Sequence, residues 1–237
     1  MLWTEESVAY LRDAVSFSDY YQTIARRIAP QLPPNARVCD AGCGMGWLSL
    51  ALAPHCAHVT AVDRSSRAIE ELRRQPPCGG LTALCAEIAD AAPAQPYDAM
   101  VFCLFGGVEE TLRIAARQCA GDVFLVKRDY ASHRFSAGEE SLGDFTAEST
   151  ARALRERGVP YRAERFSAEF GQPFRSLAAA ERFFQIYNRS ADRALSREEI
   201  AARLTAGPSE EFPYYLPHEK KLCLFRFCAR DISEASI

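Results

Sequence analysis

Asp40 and Asp63 are the side chains whose setting speaks most directly of chemistry. The first stands in Val38-Cys39-Asp40-Ala41-Gly42-Cys43-Gly44-Met45-Gly46, followed by the apolar stretch 47–53; the second ends Val59-Thr60-Ala61-Val62-Asp63. Glycines at alternating positions let a chain turn sharply from strand into helix and let its backbone approach a ligand where a Cβ would clash. An acid ending the following strand, 23 positions after Asp40, stands where dinucleotide-type folds hydrogen-bond ribose hydroxyls. A glycine turn alone can be a mere tight connection, and Asp63 alone can cap the next helix in competition with Ser65. Together they point to a nucleoside ligand.

Charge narrows the nucleoside. A pyrophosphate-binding turn reads Gly-x-Gly-x-x-Gly and receives its anion at a helix N-terminus. Here the glycines fall as Gly42-x-Gly44-x-Gly46, with Asp40 two places ahead. That carboxylate repels a pyrophosphate but holds a cationic amine, directly or through water. S-adenosylmethionine, with an α-amino group, a sulfonium and no phosphate, fits better than NAD.

The elements that must position these residues follow from periodicity. Ser7 is expected to cap a helix to residue 15, and Ser18 or Asp19 a second over 20–29, which Pro30, Pro33 and Pro34 stop. Strands are expected at 38–40, 57–62, 81–85, 97–105 and 122–127, with helices at 47–53, 65–75, 109–119 and 146–157. Gly158 then ends a helix before a strand at 161–170. Strands alternating with helices argue for a doubly wound α/β fold, a mostly parallel sheet with helices on both faces. The unbroken apolar run Met100-Val101-Phe102-Cys103-Leu104-Phe105 suits a strand buried on both sides. Residues 172–217 break this rhythm with helical patterns at 176–187 and 196–204 and a Pro- and Tyr-rich segment, before a last strand at 221–229. The expected organisation is one domain over 1–237: an N-terminal helical cap (1–34), a core (35–171 and 218–230), and a helical insertion (172–217) covering the substrate.

Composition sets outer bounds. The chain has 237 residues, 48% hydrophobic and 25% charged, enough to pack a core without disulfides. A net charge of −3 offers no global attraction to a phosphate backbone, so nucleic acid is not an expected partner. The acidic N-terminus is unlike a secretory signal, and no apolar run approaches a membrane span, so a cytoplasmic location is expected. Nine cysteines without Cys-x-x-Cys spacing read as free thiols, and no metal is expected.

The segment 40–46 with Ala61-Val62-Asp63 resembles the first and second motifs of the class I S-adenosylmethionine-dependent methyltransferases, specifically from residue 38 to about 129 and only in topology beyond. The resemblance implies a seven-stranded sheet with its last strand antiparallel. It implies that Gly42 and Gly44 contact the methionine part and Asp63 the ribose. Glu87 stands where the family often has Asp facing the adenine amino group. Cys103 and Leu104 line the methionine end, and Tyr20 or Tyr21 can close over the cofactor. The implied cofactor set is Asp40, Ala41, Gly42, Cys43, Gly44, Asp63, Arg64, Glu87, Ile88 and Cys103.

The acceptor is less legible. Cys103-Leu104-Phe105-Gly106-Gly107 replaces the Asn- or Asp-Pro-Pro-aromatic motif of amino-methylating nucleic-acid enzymes. Pro77-Cys78 precedes the third strand, away from where a cytosine C5 nucleophile is needed. Glu109 and Glu110 open a helix, where acids favour its dipole. A hydroxyl or ammonium acceptor needs a base; the candidates are Tyr130, His133 and His218, each with the plain alternative of a packed or solvated side chain. Lys127 and Arg128 can bind an acidic acceptor or solvate a strand end. Phe174, Phe183, Phe184, Tyr187, Phe212, Tyr214 and Tyr215 can wall an aromatic pocket for a flat or cationic acceptor, although Phe183, Phe184 and Tyr187 at helical spacing also suit a core. The expected function is methyl transfer to a small molecule. The alternatives are a protein or RNA methyltransferase, or a module that binds the cofactor without catalysis.

Overall fold

The computed structural model describes residues 3–91, 93–138 and 140–233; Met1 and Leu2, part of the N-terminal stretch considered above, lie outside them. In chain order the elements are α1 (Glu5–Ser16), α2 (Tyr20–Ile28), β1 (Arg37–Ala41), α3 (Trp47–Leu52), β2 (His58–Asp63), α4 (Ser66–Arg73), β3 (Leu81–Cys85), β4 (Tyr97–Cys103), α5 (Val108–Gln118), β5 (Cys119–Arg128), α6 (Ala147–Glu156), β6 (Arg162–Glu169), β7 (Gln172–Phe174), α7 (Leu177–Tyr187), α8 (Arg197–Ala201), β8 (Thr205–Ala206), β9 (Tyr214–Leu216) and β10 (Glu219–Cys228).

Seven strands form one sheet in the order β3-β2-β1-β4-β5-β10-β6. β1 pairs in parallel with β2 and β4, β2 with β3, and β4 with β5, whereas β10 runs antiparallel to β5 with Leu224 opposite Val126. This is the doubly wound sheet with an antiparallel last strand that the motifs imply. Its centre is dry: Val38, Cys39, Met100, Val101, Phe102, Phe124, Leu125 and Val126 are fully buried, as strands covered on both faces must be. The helices turn apolar stripes inward, α5 burying Val108, Leu112, Ile114 and Ala115.

The described chain divides into two compact units. The larger comprises residues 21–129, 144–166 and the chain from 222; it holds the glycine turn and most of the large sheet. The smaller gathers the chain up to residue 20, residues 130–143 and 167–221. It contains α1, α7, α8 and a second sheet of order β7-β9-β8, which periodicity does not foretell because strands of two and three residues are too short to show any. Its core is Phe174, Ala180, Phe183, Phe184, Ile200 and Leu216, with Tyr10 edge-on to Phe174 and Phe183.

Several local expectations need correction. Thr4, not Ser7, caps α1: its side chain accepts from the Ser7 N–H, and Ser7, at the third helical position, bonds back. The fourth strand stops at Cys103 and not at 105 because Leu104 turns with φ 55°. The fifth begins at Cys119, three residues earlier than expected, because Cys119 already pairs with Tyr97 across an irregular step in register. Phe174, Phe183, Phe184 and Phe212, offered as pocket wall, are at most 5% exposed. Phe174, Phe183 and Phe184 belong to the core of the smaller unit, and Phe212 packs edge-on against Phe17.

Candidate functional site

The glycine turn is folded onto the end of β2. Val62 O accepts the N–H of both Gly42 (2.8 Å) and Cys43 (3.0 Å), and Gly46 N–H returns to Cys43 O (2.9 Å). Asp63 completes the joint: its Oδ2 accepts the Gly44 N–H and its Oδ1 the Ser65 N–H, both at 2.9 Å. Each carboxylate oxygen has two lone pairs, so after these two bonds Asp63 keeps acceptor capacity on both oxygens. A vicinal diol supplies the two matching donors. Ser65 caps α4 through Ala68 N–H, while Asp63 braces the turn.

Asp40 lies at the end of β1 with 1% exposure, its Oδ2 accepting the Ser49 hydroxyl at 2.6 Å. Burial pushes its carboxyl up to about 6; the Ser49 bond opposes that rise and the nearby Asp63 charge adds to it. A positive charge nearby would favour its ionised form.

The end of β4 is strained. Leu104 and Gly106 both have left-handed φ (55° and 61°), and Leu104 N–H is tied to Val126 O at 2.9 Å. A non-glycine residue held there is a feature found disproportionately at functional sites. The turn brings the Phe105 ring over Gly42, where a Cβ would fall 2.1 Å from Phe105 Cδ2. Gly42 is therefore required twice, by its φ of 70° and by this contact. Lys127, expected to bind an anion or solvate a strand end, is instead 2% exposed. Its Nζ donates to Phe105 O (3.0 Å) and Gly106 O (2.6 Å). Burial disfavours the ammonium, and the two carbonyls offset part of that cost.

The remaining expected residues fall into two groups. Gly42, Cys43, Gly44, Asp63 and Asp40 meet in the larger unit. Of the two tyrosines, Tyr20 is 1% exposed, packed at 4.4 Å on Phe170 within the smaller unit. Tyr21 belongs to the larger unit, where burial and then the charges of Cys103 and Asp40 push its hydroxyl above the usual range. Arg64 and Glu87 are exposed and paired with one another at 3.4 Å. Ile88 is 4% exposed, its carbonyl accepting Gln118 Nε2 at 2.6 Å. Trp47, unremarked in the sequence, opens α3 with an indole N–H that is buried without an acceptor among the described residues.

Tyr130, His133 and His218 share the smaller unit and gather around Phe135. His218 lies 5.4 Å and His133 5.7 Å from that ring, and Tyr130 lies 6.3 Å from His218. His133 is half-buried with Nδ1 2.8 Å from Ser136 Oγ, and its backbone N–H donates to Glu140 O at 2.7 Å. His218 is 4% exposed. Tyr215 donates to Glu169 Oε1 at 2.6 Å, and the same oxygen accepts the His218 N–H at 3.2 Å. Tyr214, by contrast, is 37% exposed.

The sheet order, with its antiparallel last strand, is that of the Rossmann-like methyltransferase fold. Residues 38–123 match the family model described as a methyltransferase domain. Over 76 residues it is 43% identical to the ubiquinone biosynthesis O-methyltransferase of Methylocella silvestris, a stretch that is 32% of this chain and 30% of that protein. Among solved structures it resembles an S-adenosylmethionine-dependent methyltransferase from Thiobacillus denitrificans in complex with S-adenosyl-L-homocysteine (TM-score 0.53, 16% identity, 89% of this chain and 91% of that one). It also resembles the YcgJ protein of Bacillus subtilis (TM-score 0.53, 16% identity, 88% and 97%).

Proposed function

We propose that the chain binds S-adenosylmethionine through residues 40–44, Asp63, Arg64, Glu87, Ile88 and Cys103, and transfers its methyl group to a small-molecule acceptor by direct in-line displacement. The observation that carries this reading is the bracing of Asp63, which spends one lone pair per oxygen on backbone N–H groups and offers the others side by side. Asp40 supplies the negative field for the amino group, and the glycine turn supplies close backbone approach.

The bound sulfonium brings an already activated methyl group, so alignment by the protein can account for much of the rate. What remains for the side chains is to orient the acceptor and take its proton. Tyr130, His133 and His218, grouped about Phe135, are the proposed source of that base, a neutral imidazole being best matched to neutral pH. The kinship with a ubiquinone-biosynthesis O-methyltransferase over 76 residues favours a small-molecule acceptor over nucleic acid. No described helix is long and apolar enough to cross a membrane, which is compatible with the proposed cytoplasmic location.

Calorimetric titration with S-adenosylmethionine, S-adenosylhomocysteine and NAD tests the reading. Both sulfur nucleosides are expected to bind and NAD not to. Asp63→Ala is expected to weaken them by about tenfold or more, the value of one or two hydrogen bonds to a charged group. Preferential binding of NAD, or unchanged affinity in Asp63→Ala, would overturn it.

A further inference from the structure

Buried cations are costly unless hydrogen-bonded, and a domain reserved for a cationic cofactor has particular reason to avoid one. Yet Lys127, 2% exposed, ends its side chain against the carbonyls of Phe105 and Gly106. Those carbonyls belong to a turn with two left-handed residues in three, Leu104 and Gly106. That turn sets the Phe105 ring on the α-carbon face of Gly42, within the glycine turn that the proposed function assigns to the cofactor. Among the described residues, the Lys127 ammonium is the side-chain donor that reaches the 105 and 106 carbonyls.

We propose that Lys127 is a positioning residue of the cofactor site, whose ammonium locks the strained 104–106 turn so that Phe105 and the glycine turn keep the shape the cofactor requires. This rests on the cofactor reading above. The lock acts through Phe105 and Gly106 and needs no contact between Lys127 and the ligand. Arg128 on β5, Cys103 at the end of β4 and Glu110 on α5 are the charged or titratable groups acting on it: burial and then Arg128 pull the ammonium down to about 8, while Cys103 and Glu110 support it. Above that pH the lysine loses a proton and keeps only neutral donors, so the lock weakens.

The test is S-adenosylhomocysteine affinity from pH 7 to 10 for wild type, Lys127→Arg and Lys127→Met. Dividing wild-type affinity by that of Lys127→Arg cancels titration of the ligand's own amine and of Cys103, leaving the lysine. The ratio is expected to fall by about tenfold above pH 8, with Lys127→Met weakened by about tenfold already at pH 7, the scale of a lost charge-assisted hydrogen bond. In ligand-free protein the Leu104 amide, bonded to Val126 O, should exchange faster in Lys127→Met than in wild type. Wild type that binds S-adenosylhomocysteine with a flat ratio overturns the role of Lys127 alone, even if Lys127→Met cannot be folded. Wild type that does not bind at all overturns the cofactor reading and this inference with it.

Discussion

The two compact units solve the problem of burying side chains in opposite ways. The larger is built from successive strand-helix segments, and it buries ionisable groups at strand ends: Asp40 at 1% and Lys127 at 2% exposure. The smaller is stitched from three separated stretches of chain and excludes water with rings, Phe183 alone meeting Tyr10, Phe135, Phe174, Phe184 and Tyr187 within 4.5–5.8 Å. Its exposed ion pairs, such as Arg182 with Glu6 and Arg175 with Asp13, contribute little by comparison. The lesson concerns where function can be specified. Binding a charged nucleoside asks for fixed polar groups at strand ends, which a local repeat delivers. Shaping an acceptor site asks for adaptable surface, which an aromatic core can carry on loops.

The sharpest way to break that contrast is to hollow out the smaller unit. Phe183→Ala should cost about 3–5 kcal/mol, the range for truncating a buried phenylalanine, read as a lowered midpoint in denaturant. If the units are energetically separate, S-adenosylhomocysteine affinity of the variant, measured where it is still folded, stays within about threefold of wild type, a sub-kcal/mol change. A parallel collapse of cofactor binding would show that the aromatic core and the glycine turn work as one.

The converse change enters the larger unit. Gly42→Val places a branched side chain at φ 70°, where its Cβ meets the Phe105 ring. Either Phe105 or the turn must move, so cofactor affinity should fall by about a hundredfold, near 2.7 kcal/mol. Retained affinity would mean that the turn does not touch the ligand.

Legibility in the sequence divides along the same line. From β1 to α4 the elements are contiguous, and the glycine turn, the terminal acid and the Ser65 cap could be read from spacing, because each depends on neighbours within a few residues. Lys127 could not. Beside Arg128 at a strand end it looks solvated, and the carbonyls that hold it are 21 and 22 positions away in the chain. The β7-β9-β8 sheet was hidden because its strands are too short to alternate. The grouping of Tyr130, His133 and His218 about Phe135 depends on long-range packing that periodicity does not encode. Thr4 is hard to single out as a cap because Ser7, its hydrogen-bond partner, offers the same chemistry three residues later.

Asp40 tests the polar side of the contrast with a signed pH dependence. Its carboxyl is raised from 3.8 to about 6 in the folded protein. A raised pKa means that the folded state favours the protonated form; that contribution is complete below about 3.8 and is lost as pH rises through 6. At pH 7.5 the wild type therefore carries the penalty of a buried ion, on the order of 2–3 kcal/mol for a carboxyl raised this far. Asp40→Asn, which can still accept the Ser49 hydroxyl, should then be more stable than wild type without ligand at pH 7.5, and the advantage should vanish near pH 4. Cofactor binding has the opposite sign, because the amino group is drawn to the ionised carboxyl. Wild-type affinity should drop by up to about tenfold for each step of one in pH below 6, the limit for one coupled proton, and be flat from pH 6.5 to 7.5, while Asp40→Asn binds weakly and without that slope. A stabilised variant that binds as tightly as wild type would make Asp40 a relic of packing. A destabilised one would show that the ionised carboxyl carries no net penalty at the end of β1.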